Sequence, residues 1–165
     1  MPGFPLSPVP EYQWAVDTHF DRRARLARLI PTLVNLNKTF GVGVDEGAAF
    51  YVNELLGMAL GRNGVFIVDM RTAVVNQTSK YFEVKGVRVH YLTVGDTYNL
   101  ATNVLTSSKP QIKTPRYIGY TDSTDITSKY EMTRLITRLV DQTSSFNVGH
   151  TAPQEDFPAD TPKFF

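Results

Sequence analysis

Apolar and polar positions alternate along this chain in a way that predicts short strands and two amphipathic helices. Apolar side chains recur at helical spacing from Leu26 to Leu33, and this spacing predicts a helix with Asp21 as its N-cap. Pro31 lies inside the pattern and should kink or shorten the helix, because proline has no backbone N–H to donate. A second helix is predicted over residues 128–142, where the apolar residues share one face.

Short apolar runs predict the strands. They are residues 12–16, 40–44, 48–53, 65–70 and 82–92. The last run predicts a hairpin that turns at Lys85–Gly86, whereas the stretch 102–128, rich in Thr, Ser and Pro, predicts irregular structure. A strand, a helix, further strands and a covering helix are typical of one part of a layered α/β domain.

Composition narrows the classes of function. The chain has 165 residues, 42% of them hydrophobic, which is enough for one domain with a core. A net charge of +1 gives no bulk attraction to nucleic acid or to a membrane surface. The longest apolar runs are far shorter than the ~20 residues of a membrane span. The absence of cysteine excludes disulfides, thiol catalysis and zinc–thiolate sites. His90 and His150 have no His, Asp or Glu at ligand spacing, so no metal and no other cofactor is expected.

The two ends of the chain differ from its middle. Residues 1–11 are proline-rich and predict an extended segment, because proline breaks the apolar helix that a signal peptide needs. Residues 12–146 are predicted to form the domain, and residues 147–165 an extended tail. The triplets that begin at Asn37 and Asn76 have the form of glycosylation acceptors. The sequence does not determine the cellular compartment. An extracellular location is a hypothesis that is compatible with these triplets.

The candidate chemistry is concentrated near the first predicted helix. His19 lies where a strand is predicted to end, and a neutral imidazole there can act as a general base. The arginines that follow suit carboxylates, either of a substrate or of the fold itself. These candidates are Arg23, Arg25 and Arg28. Asp45 and Glu46 are the expected carboxylate partners within the chain, and Glu46 is alternatively a residue that orients or recognises a substrate.

Two sequence blocks stand one helix apart. The first is Asp17-Thr18-His19-Phe20 followed by Arg23-Ala24-Arg25-Leu26-Ala27-Arg28-Leu29, and the second is Gly41-Val42-Gly43-Val44-Asp45-Glu46. A glycine-flanked strand at residues 61–69 comes next. In order and spacing these blocks resemble the cyanophycinase family of serine peptidases, over residues 13–94.

The resemblance implies roles for individual residues. His19 would be the catalytic histidine, which takes a proton from a serine nucleophile and returns it to the leaving amine. Positions for substrate binding would be Thr18, Arg23, Arg25, Arg28 and Glu46. Thr18 replaces the glutamine of the family, and its short hydroxyl cannot reach where an amide would. In the family the serine lies upstream in a Gly-x-Ser-Ala-Gly turn, and the acid that orients the histidine also lies upstream. No such turn occurs in this sequence.

The chain is therefore expected to be the C-terminal half of a three-layer α/β/α domain related to class I glutamine amidotransferases, completed by another chain. Our leading hypothesis is the C-terminal chain of a two-chain serine-type peptidase that is inactive alone. The partner, an N-terminal half or a second polypeptide, would carry the serine, and a higher oligomer is compatible. Strands 40–44 and 65–70 and the apolar face of the second helix are expected at the interface. The alternative is a non-catalytic relative with a binding, matrix or storage role.

Overall fold

A computed structural model describes residues 14–76, 78, 82–110 and 114–149 of the chain. The strands are β1 (Trp14–Thr18), β2 (Phe40–Val44), β3 (Ala48–Asn53), β4 (Leu56–Gly61), β5 (Val65–Asp69), β6 (Val74–Asn76), β7 (Glu83–Lys85), β8 (Arg88–Leu92), β9 (Thr97–Asn99), β10 (Val104–Thr106), β11 (Asp122–Ser123) and β12 (Val148–Gly149). The helices are α1 (Leu26–Asn35) and α2 (Glu131–Val140), and a 3₁₀ turn (Asp21–Arg23) precedes α1.

A four-stranded sheet forms the centre of the molecule, in the order β1-β2-β5-β8. β1 and β2 are parallel and in register from Trp14 opposite Phe40 to Thr18 opposite Val44. The pairs β2–β5 and β5–β8 are antiparallel. All five residues of β5 are buried, because the sheet is covered on both faces.

The two faces of the central sheet carry different layers. One face packs against both helices through Phe20, Leu29, Leu33, Phe66 and Val68. The other face packs against a second antiparallel sheet, in the order β10-β9-β4-β3, through a core centred on Phe40, Val42, Ile67 and Tyr98. The predicted α/β class is confirmed. In the described residues the layer opposite the helices is a sheet. Completion by another chain stays a prediction, as do the domain boundaries, and residues 1–11 lie outside the described ranges.

The first helix differs from the prediction at its start. Asp21 does not cap it, because the 3₁₀ turn ends at Ala24, whose φ of 47° breaks the helical path, and α1 begins at Leu26. The α1 helix continues to Asn35, past Pro31. The second helix is found inside its predicted range.

The predicted hairpin over residues 82–92 is wrong. β7 pairs with β6, whereas β8 pairs with β5 in the central sheet. Strands β4, β9 and β10, which together with β3 make the second sheet, were not predicted from the sequence. Strands β2 and β5 are buried inside this chain, so, within the ranges that the structure describes, the unpaired edge beside the parallel strands is that of β1. Neither described helix is long and apolar enough to cross a bilayer.

Candidate active site

Parallel pairing of β1 and β2 places His19 beside Glu46. Thr18 and Val44 are opposite each other in the ladder, so the chain leaves both strands at the same edge of the sheet. Carboxyl ends of parallel strands are where α/β folds assemble their sites. His19 Nδ1 lies 2.7 Å from Glu46 Oε1. Both side chains reach solvent, with 44% of His19 and 27% of Glu46 exposed.

The backbone at His19 turns sharply, and the next residue holds that turn. His19 has φ of 51°, in the left-handed region that non-glycine residues seldom occupy. Phe20 N–H donates to Val44 O at 3.3 Å, and the Phe20 side chain is buried against the helix-side face of the sheet. A Cβ at Gly43 would lie 2.3 Å from the Phe20 ring. Because Gly43 has no side chain, the Phe20 ring fits against it and anchors the turn at His19.

Arg22 completes a three-residue network around Glu46. Its Nη1 donates to Glu46 Oε2, while His19 contacts the other carboxylate oxygen. The hydrogen bond from Arg22 is the main cause that lowers the pKa of Glu46 below its ordinary value. The hydrogen bond from His19 acts in the same direction, whereas desolvation opposes the shift. Glu46 is thus an anion at neutral pH. Arg22 was not among the predicted site residues, because its contact with Glu46 depends on the left-handed turn at His19 and on the pairing of β1 with β2.

The turn that carries Glu46 is fixed by the loop before β5. Asn63 Nδ2 donates to Glu46 O, and Arg62 N–H donates to Gly47 O at 2.9 Å. Asp45 N–H donates in turn to Gly64 O at 3.3 Å. These bonds hold the Glu46 backbone in place without using its carboxylate.

Two of the three candidate arginines are bound within the fold. Arg25 Nη1 donates to Asp17 Oδ1 at 2.8 Å, and Arg28 Nε donates to Asp17 Oδ2 at 3.0 Å. Arg25 also donates to Thr18 O. The expected partners of these arginines, Asp45 and Glu46, were wrong, because Asp17 at the end of β1 is nearer to the start of α1.

Arg23 and Thr18 lie at the surface next to His19. Both are exposed, and within the described ranges the Arg23 guanidinium and the Thr18 hydroxyl make no hydrogen bond or ion pair. Arg23 is therefore available to a ligand, whereas Arg25 and Arg28 are already paired. Of the glycosylation candidates, Asn37 is exposed after α1, and Asn76 Nδ2 donates to Glu83 Oε2 at 2.8 Å. Glycosylation of either stays a prediction.

Helix α2 packs beside this site through Asp21. Thr133 N–H donates to Asp21 Oδ2 at 2.8 Å, so the carboxylate serves an orphan donor in the first turn of α2. Burial raises the pKa of Asp21, and the charge of Asp45 adds to that rise. Asp45 is itself buried, and its Oδ1 has no partner among the described residues. The distant α2 segment thus contacts the 3₁₀ turn that follows His19.

The site brings one ring nitrogen of a histidine against a carboxylate oxygen. A carboxylate only accepts hydrogen bonds, so Nδ1–H of His19 donates to Glu46, and in a neutral imidazole with this tautomer Nε2 carries the lone pair. Glu46 makes this contact within the chain, and the upstream acid that the resemblance implies stays a prediction. Among the described residues, no group of three or more His, Asp or Glu side chains is arranged to hold a metal ion.

Comparison with known proteins points to the same family as the two motifs. The cyanophycinases of Synechococcus elongatus and Thermosynechococcus vestitus are each 38% identical to this chain over 95 residues. The chain is similar to cyanophycinases over about half its length. A third cyanophycinase, from Geminocystis herdmanii, is 33% identical over 105 residues. No protein-family model matches the chain.

The similarity to cyanophycinases is partial in both directions. It covers 53% of this chain and 29% of each of the first two relatives, and 59% of this chain and 38% of the third. The cyanophycinase resemblance drawn from the motifs is confirmed over about half of the chain. The chain spans about a third of the length of these curated cyanophycinases.

Proposed function

We propose that this chain is the histidine-bearing chain of a two-chain, cyanophycinase-like serine-type peptidase. The contact of 2.7 Å between His19 Nδ1 and Glu46 Oε1 carries the proposal. The sequence has no Gly-x-Ser-Ala-Gly turn, so a second polypeptide supplies the serine nucleophile and its oxyanion hole.

In this mechanism His19 moves one proton in two directions. Nε2 accepts the proton of the partner's serine hydroxyl as the serine oxygen attacks the scissile carbonyl carbon. The imidazolium that forms is stabilised by the Glu46 carboxylate at Nδ1. His19 then gives the proton to the leaving amine as the carbon–nitrogen bond breaks, and water releases the acyl group by the same two proton transfers. Glu46 stays ionised throughout, which its lowered pKa favours.

The open edge of β1 supports completion by a partner. β1 has one hydrogen-bonded neighbour, β2, in the described part of the chain, and the site lies at the end of this edge strand. An exposed strand edge is a template for pairing with another chain. The limited share of each cyanophycinase that this chain spans is compatible with a missing half. In our proposal the partner strand pairs along β1 and brings its serine to His19.

Labelling with a fluorophosphonate, which modifies activated serines, tests the proposal on natively purified protein. We expect a co-purifying chain to be labelled, and His19→Ala to abolish labelling while the complex stays assembled. General-base catalysis contributes about 10²–10⁴-fold. His90→Gln is the matched control, because His90 lies on β8 against Tyr98 and has no contact with Glu46. A single polypeptide that carries no label would contradict the proposal.

A non-catalytic role is the second candidate, and the arginine pairs favour it. Asp17 occupies Arg25 and Arg28, and Thr18 offers no amide, so part of the implied substrate site is absent. A binding, matrix or storage protein could keep the scaffold for its stability alone. A native complex that lacks labelling in the wild-type chain, yet stays folded and assembled, would support this candidate.

A further inference from the structure

Arg22 shares the Glu46 carboxylate with His19. Arg22 Nη1 donates to Glu46 Oε2, whereas His19 Nδ1 donates to Oε1 at 2.7 Å. Among the described residues the carboxylate accepts from these two side chains, while Asn63 Nδ2 donates to the backbone oxygen of Glu46. In the proposed hydrolysis Arg22 moves no proton and contacts no reacting atom. Any role of Arg22 in that reaction therefore acts through Glu46.

The 3₁₀ turn that carries Arg22 is fixed from within and from α2. Ala24 N–H donates to Asp21 O at 3.1 Å and closes the turn. Tyr130, the residue before α2, donates its N–H to the same Asp21 oxygen at 3.1 Å. Arg22 thus projects from a backbone that is held on two sides, so its guanidinium approaches Glu46 from a set direction.

One hydrogen bond from His19 would leave the Glu46 carboxylate poorly fixed. Both side chains reach solvent, and the long glutamate side chain has several rotamers, so a carboxylate held at one oxygen can turn away or accept from water. A donor on the second oxygen fixes the plane of the carboxylate, and a charged donor makes a stronger bond than a neutral one. The contact with Arg22 also lowers the pKa of Glu46, which keeps the carboxylate an acceptor.

We propose that Arg22 is a positioning residue, which holds the Glu46 carboxylate against Nδ1 of His19 and so keeps the ring in the tautomer with a free Nε2. A neutral imidazole has two tautomers, and the hydrogen bond at one nitrogen selects between them. Because Arg22 acts through Glu46, its effect should vanish when the carboxylate is removed. The consequence for hydrolysis rests on the proposed function, whereas the tautomer needs no serine nucleophile.

Nuclear magnetic resonance of the ring nitrogens tests the inference on natively purified protein in which the histidines of this chain are ¹⁵N-labelled. The His19 signals are those that His19→Ala removes. At a pH of about 9 histidine side chains are neutral, so the separate resonances of protonated and unprotonated nitrogens report the tautomer. We expect Nδ1 to be protonated in the wild type. Arg22→Gln should shift the ratio of tautomers about fivefold or more towards the form that is protonated at Nε2.

Two further substitutions of Arg22 define what the position requires. Arg22→Met keeps the apolar stem of the arginine without its charge, and it should shift the tautomer ratio as Arg22→Gln does. The test therefore does not depend on the folding of one variant. Arg22→Lys keeps a charged donor but loses the planar fork, so it should recover part of the wild-type ratio.

A matched control and a second background separate this role from a merely structural one. Arg134 is 44% exposed, as Arg22 is, and pairs with a glutamate, Glu131, so Arg134→Gln breaks a similar ion pair on α2. It should leave the His19 tautomer unchanged. In a Glu46→Ala background, Arg22→Gln should have no further effect. An unchanged ratio in Arg22→Gln, or an equal change in the Glu46→Ala background, would overturn the inference.

Kinetics distinguish failure of this inference from failure of the proposed function. On an active complex, Arg22→Gln should lower kcat about threefold or more and leave KM nearly unchanged, because Arg22 acts on the base and not on the substrate. Hydrolysis together with a tautomer ratio that does not depend on Arg22 would remove the inference and leave the peptidase proposal standing. An Arg22-dependent tautomer without any hydrolysis would remove the peptidase proposal and leave the positioning role.

Discussion

His19 owes its position to its neighbours as much as to its contact with Glu46. The left-handed φ of 51° at His19 is unfavourable for an L-residue by about 1–2 kcal/mol, so the surrounding structure has to hold it. Phe20 does so by burying its ring over Gly43. A conformation that is maintained against strain at a candidate site is consistent with a functional role.

Gly43→Ala should loosen this anchor. The added methyl group would meet the Phe20 ring at 2.3 Å, so either residue has to move. We expect a loss of about 1–3 kcal/mol in the free energy of unfolding, measured by urea denaturation. Adding Phe20→Leu should relieve the clash, so the double variant should lose less than the sum of the single variants by about 0.5 kcal/mol or more. Strict additivity would show that the ring and the glycine do not interact.

Asp21 makes the second prediction at this scale, which concerns pH. Burial raises its pKa above the ordinary value of 3.8, so the native state holds the proton more tightly than the unfolded chain. This contribution to stability is complete below pH of about 3.8 and is lost as the pH rises through the native pKa.

Asp21→Asn should remove that pH dependence and keep the hydrogen bond to the first turn of α2. The amide oxygen can still accept the Thr133 N–H bond but carries no charge to bury. We expect the variant to gain stability relative to the wild type as the pH rises from about 4 towards neutral. Urea denaturation at each pH measures this difference. Asp21→Ala, which also loses the acceptor for the Thr133 N–H, should be less stable than Asp21→Asn by about 1 kcal/mol at every pH. A difference between Asp21→Asn and wild type that is constant with pH would contradict the assignment.

Among the elements, β1 and α1 are joined by one carboxylate. Asp17, near the end of the strand, receives both Arg25 and Arg28 of the following helical segment. The side chains of Asp17 and Arg25 are 10% and 15% exposed, whereas Arg28 is 58% exposed. The buried pair therefore fixes the angle at which the chain leaves β1, and the exposed pair adds little to it.

Asp17→Ala should cause a larger loss of stability than Arg28→Gln. Without the carboxylate, Arg25 is left partly buried without its charge partner, and we expect a loss of about 1–3 kcal/mol in the free energy of unfolding. Arg28→Gln breaks a solvent-exposed pair and should cost less than about 1 kcal/mol. Thermal and urea unfolding measure both changes. Asp17→Ala removes both pairs, so equal losses would mean that the pair with Arg25 contributes nothing to stability.

At the scale of the whole molecule, β1 has no second neighbour among the described residues, and this edge decides where a partner strand can pair. β2 and β5 are buried inside the chain, so a partner that pairs with the central sheet beside the parallel strands has to use β1. Such an interface would be largely main-chain and apolar. The site at the end of β1 would then lie at the junction of the two chains.

Hydrogen exchange on the natively purified assembly tests this arrangement. β8, the opposite edge of the same sheet, is the matched control. We expect the amides of Trp14–Thr18 to be protected throughout, whereas β8 should keep rapidly exchanging amides on its free edge. The assembly should survive salt of about 1 M, where charges are screened beyond ~3 Å. Rapid exchange in β1, or dissociation by salt, would contradict a partner strand at this edge.

The sequence by itself determined the local elements and the family resemblance. Strict apolar spacing predicted α2, and the short apolar runs predicted β2, β3 and β5 close to their observed bounds. The order and spacing of the two motifs around His19 and Gly43 led to the cyanophycinases that the comparison confirmed. These features depend on neighbouring residues, so they are visible without a fold.

Only the tertiary structure decided which residues meet. Sequence proximity favoured a hairpin over residues 82–92, but β8 buries more apolar surface beside β5 than it could in a two-stranded hairpin. Likewise, Glu46 contacts His19 and Asp17 takes the arginines because parallel pairing aligns the ends of β1 and β2. Asp21 serves a helix that begins about a hundred residues later. Such contacts depend on strand register and long-range packing, which no local pattern encodes.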